Sequence, residues 1–209
     1  MKTIILAGGW GTRLGKLSQT LPKPMVLVGN NPILWHIMKI YSHYGYDEFI
    51  IALGVKGEMI KEYFYNFEYF NSDFTIELST GNIMYHNKKN NCRWTVTLVD
   101  TGLNSLKGSR IKKVESYLDD TVNMITYGDG VANININSLV EFHKSHKKTL
   151  TVTGVNAPSR FGEIIEKNNK VIKFAEKPQM SSGIINGGFM VFNKNLLEHL
   201  TNDEDCYFE

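Results

Sequence analysis

Cysteine is scarce in this sequence, since Cys92 and Cys206 are the only two among 209 residues. They stand far apart and form no Cys-x-x-Cys pattern, which argues against a disulfide framework or a zinc knuckle. Long apolar runs are also missing. The run at residues 3–7 is too short for the core of a signal peptide, and no stretch approaches the length of a transmembrane helix. We therefore expect a cytoplasmic protein that does not enter a membrane.

An excess of charge of one sign is missing too, because 23 lysines and arginines face 21 aspartates and glutamates, for a net charge of +2. Apart from Lys144, Lys147 and Lys148, the cations are dispersed along the chain, so a nucleic-acid partner is not expected. The composition, with 42% hydrophobic and 21% charged residues, is that of an ordinary globular protein. We expect a single domain over residues 1–209.

A glycine-rich segment, LAGGWGTRL at residues 6–14, follows the apolar run directly. The run is typical of a strand that is buried on both faces in a parallel sheet. After such a strand, Gly8, Gly9 and Gly11 let the backbone turn sharply and bring its N–H groups close to a ligand, as in loops that hold phosphates. The segment therefore indicates an anion-binding loop.

The spacing excludes two familiar phosphate-binding motifs. A dinucleotide fingerprint counted from the glycines requires glycine at Leu14, and a P-loop requires glycine at Trp10. Two cations, Arg13 and Lys23, accompany the loop. These features favour a polyanion such as a nucleoside triphosphate, and the alternative is an ordinary surface turn with scattered cations.

Apolar strands alternate with amphipathic helices along the chain. A helix is predicted over residues 31–45, a strand over 48–53 and a further helix after it. This order predicts an α/β fold with a doubly wound, mostly parallel, Rossmann-like sheet. Two segments depart from the alternation: we expect an inserted β-ribbon at about 66–99 and a hairpin region at about 155–190.

Local signals predict where some of these elements turn or begin. The hairpin is expected to reverse at Asn168-Asn169. Ser138 and Glu141 have the spacing of a capping box at the start of a helix. The segment GIINGGFMVFN reads as a strand with a glycine break.

Asp129 stands between Gly128 and Gly130, directly after an apolar strand. Ligands of open α/β sheets bind at the carboxyl ends of strands, where this carboxylate would lie. A carboxylate there suits a Mg²⁺ ion that bridges phosphate oxygens. The alternative is an aspartate that only stabilises a turn.

The later part of the chain offers groups suited to a sugar phosphate. Glu176 and Lys177 lie in EKP, and Asn186 lies in INGG. Together a carboxylate, an ammonium and an amide can bind the hydroxyls and the phosphate of a sugar. Taken singly, each is more often a solvated surface residue.

The motifs AGGWGTRL, PKPM, YGDG, EKP and INGGF together resemble those of the sugar-1-phosphate nucleotidyltransferases, and WHIMKIYS and VTLVDTG resemble the cytidylyltransferase branch. The resemblance runs over nearly the whole chain. It implies transfer of CMP from CTP to a small phosphorylated acceptor, with glucose 1-phosphate as the first candidate. The products would be pyrophosphate and CDP-glucose, the latter for surface polysaccharides. Mg²⁺ would be required, and a homo-oligomer is expected.

The resemblance also implies a role for each matching residue. Those implied in catalysis are Arg13, Lys23 and Asp129, of which Asp129 would bind the metal. Those implied in nucleotide binding are Leu6, Ala7, Gly8, Gly9, Gly11, Thr12, Arg13, Lys23, Ser105, Arg110 and Gly128. Those implied in acceptor binding are Gly162, Glu176, Lys177, Asn186 and Gly187.

Two alternatives stay open. The acceptor could be another sugar 1-phosphate or a phosphorylated amino acid, or the chain could be a CTP-binding module without catalysis. The family has a second aspartate metal ligand in a segment that would follow Glu209, the last residue of this sequence. That departure leaves open how the metal site is completed.

Overall fold

The structure is a computed structural model that describes residues 1–11, 20–86, 92–156, 162–176 and 183–209. The expectations for Thr12, Arg13 and Lys177 therefore lie outside the described residues. The strands are β1 (Thr3–Leu6), β2 (Leu27–Val28), β3 (Asn31–Pro32), β4 (Glu48–Leu53), β5 (Asp73–Glu77), β6 (Asn82–His86), β7 (Thr95–Asp100), β8 (Val122–Tyr127), β9 (Leu150–Val155), β10 (Glu163–Lys167), β11 (Lys170–Ala175) and β12 (Ile185–Asn193). The α-helices are α1 (Ile33–His43), α2 (Gly57–Tyr65), α3 (Phe67–Asn71), α4 (Lys107–Lys113) and α5 (Ile136–His146). Short 3₁₀ helices occupy Lys23–Met25, Glu115–Tyr117 and Lys194–His199.

The main sheet of the described chain has the strand order β7-β4-β1-β8-β12-β9. β1 runs parallel to β4 and β8, and β4 runs parallel to β7. β12 runs antiparallel to both of its neighbours. The predicted α/β fold with a mostly parallel sheet is thus confirmed.

Both faces of this sheet are covered, as the apolar runs of the central strands require. Successive side chains of a strand point to opposite faces. Ile5 packs in a core with α1, α2 and α5, whereas its neighbour Ile4 packs in a second core with α4 on the other face. Both isoleucines are fully buried. This arrangement leaves the ends of the strands as the open part of the sheet.

The ribbon predicted at about 66–99 was too long at both ends. Within the described part of this stretch, β5 and β6 form an antiparallel hairpin, while Phe67–Asn71 is the short helix α3. β7 belongs to the main sheet, where it pairs with β4 from Thr95 opposite Glu48 to Asp100 opposite Leu53. As an edge strand, β7 keeps its side chains partly exposed, so its alternating pattern resembles that of a half-buried ribbon.

The second hairpin, β10 with β11, reverses where predicted. Asn168 and Asn169 have φ of +54° and +59°, the left-handed conformation that asparagine tolerates in tight hairpin turns.

The predicted capping box of α5 is wrong. Asn135 is the N-cap, and its side chain accepts a hydrogen bond from the Ser138 backbone N–H at 3.0 Å, so Ser138 lies inside the helix. Among the described residues, no helix has both the length and the apolarity needed to cross a membrane.

Candidate active site

A cavity of about 450 Å³ opens at the carboxyl ends of the parallel strands. Its walls come from the loop after β1, the loop after β7, the start of α4 and the end of β8, where open α/β sheets bind their ligands. Every predicted nucleotide-binding residue that the structure describes lines it, namely Leu6, Ala7, Gly8, Gly9, Gly11, Lys23, Ser105, Arg110 and Gly128. Their roles in binding stay a prediction, but one cavity brings them together.

The glycine-rich loop is held close against its neighbours. Gly11 has a φ of +65°, a backbone conformation that residues other than glycine rarely adopt. A Cβ on Gly8 would lie 2.2 Å from Arg110 Nη1, so the arginine occupies the space that a side chain would need. In contrast, a Cβ on Gly9 would meet nothing within 4 Å. The loop therefore packs on Arg110 at its first glycine and is open at its second.

Arg110 is buried, with 4% of its surface exposed. Its guanidinium donates hydrogen bonds of 2.7 to 3.2 Å to the last residue of β4 and to the loops that follow β1 and β7. The acceptors are the backbone oxygens of Gly8, Leu53, Gly102 and Leu103 and the hydroxyl oxygen of Thr101. Burial lowers the pKa of Arg110, and the nearby carboxylate of Asp100 opposes this shift. The side chain thus fixes the loops around the cavity, while its predicted contact with the nucleotide stays a prediction.

Lys23 and Asp129 form an ion pair on one wall of the cavity. Each side chain is about one-third exposed, at 33% and 34%. The end of β8 lies close to β1 at Gly128, whose N–H donates to the Leu6 carbonyl at 3.0 Å. A Cβ on Gly128 would lie 3.0 Å from the same carbonyl oxygen and 3.0 Å from Pro24 Cγ, so a side chain would be crowded there. An ammonium and a carboxylate therefore face the same space.

The carboxylate of Asp129 fits a magnesium ion whose remaining ligands come from the substrate and water. Within the described ranges, no group of three or more His, Cys, Asp or Glu side chains is arranged to hold a metal. Mg²⁺ is commonly bound by one or two carboxylates together with substrate phosphates and water. The oxygens of Asp129 supply one such carboxylate.

The sequence model of the nucleotidyl transferase family matches residues 2–207. This chain belongs to that family. It is 46% identical over 204 residues to the glucose-1-phosphate cytidylyltransferase of Salmonella typhimurium, covering 97% of this chain and 79% of that protein. It is 41% identical over 209 residues to the probable glucose-1-phosphate cytidylyltransferase of Bacillus subtilis, covering 100% of this chain and 81% of that protein.

A solved structure shares the fold of this nucleotidyl transferase. The crystal structure of HddC from Yersinia pseudotuberculosis superimposes with a TM-score of 0.64 at 25% sequence identity. The match covers 94% of this chain and 78% of that one. The likeness supports the Rossmann-like architecture described above.

The acceptor residues predicted for this nucleotidyl transferase fall into two groups in the described chain. At the base of the β10–β11 hairpin, a Cβ on Gly162 would lie 3.0 Å from Glu176 Oε2. On β12, Asn186 Nδ2 donates to the hydroxyl of Tyr127 at 3.1 Å, and Gly187 packs against Val155. The β12 group contacts Tyr127, a residue that lines the cavity.

Several residues around the cavity were not predicted from the sequence. Those that line it are Trp10, Pro24, Leu103, Asn104, Leu106, Lys107 and Tyr127. Tyr127 could have been found, because it directly precedes Gly128 at the end of a predicted strand. Lys107 and Glu209, which form an ion pair, are far apart in the sequence and carry no local signal.

Proposed function

We propose that this nucleotidyl transferase moves the CMP group of CTP to glucose 1-phosphate, giving CDP-glucose and pyrophosphate. One observation carries the proposal: the glycine-rich loop, Lys23 and Asp129 line a single cavity in a chain that is 46% identical to a glucose-1-phosphate cytidylyltransferase. The expected use of CDP-glucose is surface-polysaccharide synthesis.

The chemistry requires positioning and charge neutralisation. A sugar phosphate is already an anion at neutral pH, so its oxygen attacks the α-phosphorus of CTP without a general base. The bond from that phosphorus to the bridging oxygen breaks, and pyrophosphate leaves with the electron pair. Backbone N–H groups of the loop and the cations Lys23 and Arg13 would hold the phosphates and offset their charge.

We infer that Asp129 holds Mg²⁺ during turnover. When bound, the ion supplies positive charge to phosphate oxygens at the reacting centre. Lys23 pairs with the same carboxylate in this structure, so it is placed to contact phosphates bound next to Asp129. We also expect the protein to act in the cytoplasm, where CTP is made, and to form a homo-oligomer.

Phosphorus NMR of the purified chain with CTP, Mg²⁺ and glucose 1-phosphate tests the proposal. We expect pyrophosphate and a new diphosphate to appear together, and to disappear when EDTA replaces Mg²⁺. GTP and UTP serve as matched nucleotide controls and should give slower turnover.

Other outcomes have definite meanings. Silence with glucose 1-phosphate, but turnover with another sugar 1-phosphate or a phosphorylated amino acid, would keep cytidylyl transfer and change the acceptor. CTP binding without turnover on any acceptor would overturn the proposal in favour of a binding module.

A further inference from the structure

A carboxylate outside both predicted subsites joins them. The side chain of Glu209 accepts hydrogen bonds from Lys107 and Tyr127 at one oxygen and from Asn186 at the other. Lys107 and Tyr127 line the nucleotide cavity, whereas Asn186 belongs to the predicted acceptor site. Glu209 therefore contacts the walls of both subsites at once.

The three partners of Glu209 also contact one another. The ammonium of Lys107 lies 4.9 Å from the centre of the Tyr127 ring, a cation–π arrangement. A Cβ on Gly188 would lie 2.6 Å from a carbon of the same ring, so the tyrosine packs directly on the backbone of β12. Tyr127 thus lines the cavity and at the same time contacts Asn186.

The amide of Asn186 is held in one orientation. Its oxygen accepts from the Gly188 N–H at 2.8 Å, and its nitrogen donates to Tyr127 and to Glu209. An ionised carboxylate only accepts hydrogen bonds, so Glu209 selects the NH₂ end of the amide. Removing that acceptor would leave the amide less constrained.

Glu209 itself is held in place by the backbone. The segment 201–209 docks on the start of α4, where Leu106 N–H donates to the Glu204 carbonyl at 2.7 Å and Gly108 N–H donates to the Cys206 carbonyl at 3.1 Å. Burial alone raises the pKa of Glu209, but hydrogen bonds from its three partners, together with the positive charge of Lys107, outweigh that effect and hold the pKa below its usual value. The residue is therefore charged at neutral pH.

We propose that Glu209 is a positioning residue for the acceptor, which holds Asn186 and Tyr127 in the orientation that binds the sugar phosphate and ties them to the nucleotide wall through Lys107. The inference rests on the proposed function. It assigns to Glu209 and Lys107 a share of the affinity for the acceptor, although neither needs to touch the reacting phosphates.

The variant Glu209→Gln tests it, because an amide has the same shape but only one acceptor oxygen. The one oxygen of glutamine can accept hydrogen bonds from Tyr127 and Lys107, or it can accept from Asn186, but it cannot accept from all three. We expect the KM for glucose 1-phosphate to rise about tenfold, the scale of one lost charged hydrogen bond, while the KM for CTP stays within about twofold. Asp205→Asn, an exposed neighbour, is the matched control and should change neither.

Lys107 gives a second arm. Lys107→Met should raise the acceptor KM, whereas Lys107→Arg should leave it close to the wild-type value because the ion pair is kept. When the changes in acceptor KM are expressed as free energies, the double variant Lys107→Met with Glu209→Gln should show a smaller change than the sum of the two single variants. An unchanged acceptor KM in Glu209→Gln, or equal rises in both KM values with a lower Tm, would overturn the inference.

The wild type separates this inference from the proposed function. If it turns over a different phosphate acceptor, the same KM series is measured with that acceptor. If it turns over none, the proposed function fails and this inference fails with it. If it turns over glucose 1-phosphate and the variants behave as wild type, only this inference fails.

Discussion

At the scale of single residues, Lys23 and Asp129 are two charged residues that line the cavity and form an ion pair there. We expect Lys23→Ala and Asp129→Ala each to lower kcat at least ~100-fold, the size of effect seen when one electrostatic contact to a transition state is removed. Since both side chains are one-third exposed, the Tm should change little.

A surface ion pair provides the control for that prediction. Lys194 and Asp120 are joined at 2.7 Å, with Asp120 95% exposed, and Lys194→Ala should leave kcat unchanged. Near-normal rates in both Lys23→Ala and Asp129→Ala would contradict the site assignment.

Arg110 should behave differently, as a residue on which the loops depend. Arg110→Met leaves several buried oxygens without their donor, and we expect it to lower the free energy of unfolding by about 3 kcal/mol. Arg110→Lys should fall between, because an ammonium offers fewer donors than a guanidinium. Urea denaturation measures both.

The exposed Arg93 supplies the comparison, since Arg93→Met should leave the urea midpoint unchanged. If Arg110→Met were as stable as the wild type and lost only CTP binding, the arginine would be a ligand contact rather than a brace for the loops.

The residue scale also shows what the sequence could and could not predict. Asp129 was predicted because it stands between two glycines directly after an apolar strand, and Lys23 because it is a cation that accompanies the glycine-rich loop. The bracing role of Arg110 was not, because its partners are mostly backbone oxygens, which every residue carries and no pattern distinguishes. The links among Lys107, Tyr127 and Glu209 depend on contacts between distant segments.

At the scale of elements, α5 and β9 meet at a buried histidine. His143 is 1% exposed, and its Nδ1 lies 2.7 Å from Thr151 Oγ1. Burial lowers the pKa of His143, a contact with Asn193 opposes the shift, and the nearby His146 adds to it. The folded chain therefore binds this proton less readily than the unfolded chain does.

The sign of the pH dependence follows. As the pH falls, the unfolded state takes up the proton before the folded state does. The free energy of unfolding is therefore fully maintained above the ordinary histidine pKa of 6.5 and falls as the pH drops below that value. Urea unfolding at about pH 7.5 and about pH 5.5 should show this loss in the wild type and a smaller one in His143→Gln. Substitution of the exposed His199 by glutamine is the control and should leave the loss as large as in the wild type. A loss in His143→Gln equal to that of the wild type would contradict the assignment.

Element boundaries were predicted where the local chemistry is decisive. Asn168-Asn169 marks its turn because few residues tolerate a positive φ. The start of α5 was misplaced, since Asn135 and Ser138 are both suitable caps and tertiary packing decides between them. β7 was assigned to a ribbon because an edge strand and a ribbon strand carry the same half-exposed alternation. Pairing, which the sequence does not display, separates the two.

At the scale of the whole molecule, the order of strands and helices sufficed to predict that the residues lining the cavity would lie together. Alternating β and α elements require parallel strands, and parallel strands gather their carboxyl ends on one side. That is why a loop near residue 8 and an aspartate near residue 129 could be expected to meet. The docking of residues 201–209 on α4 follows from no such rule.

The same architecture predicts an uneven distribution of stability, which amide hydrogen exchange can measure. β1 lies in the middle of the sheet with Ile4 and Ile5 fully buried, whereas Val171 and Ile172 of the β10–β11 hairpin are each 60% exposed. We expect amides of β1 to exchange only through global unfolding and those of the hairpin through local opening at much lower free energy.

Repeating the exchange at several protein concentrations extends the test to assembly. Hairpin protection that rises with concentration would show a second copy covering these apolar strands and would locate the interface of the expected homo-oligomer. The prediction would be contradicted if the hairpin amides exchanged as slowly as those of β1 at every protein concentration. Such a result would mean that the two hairpin strands, which lie outside the main sheet, open only when the whole core unfolds.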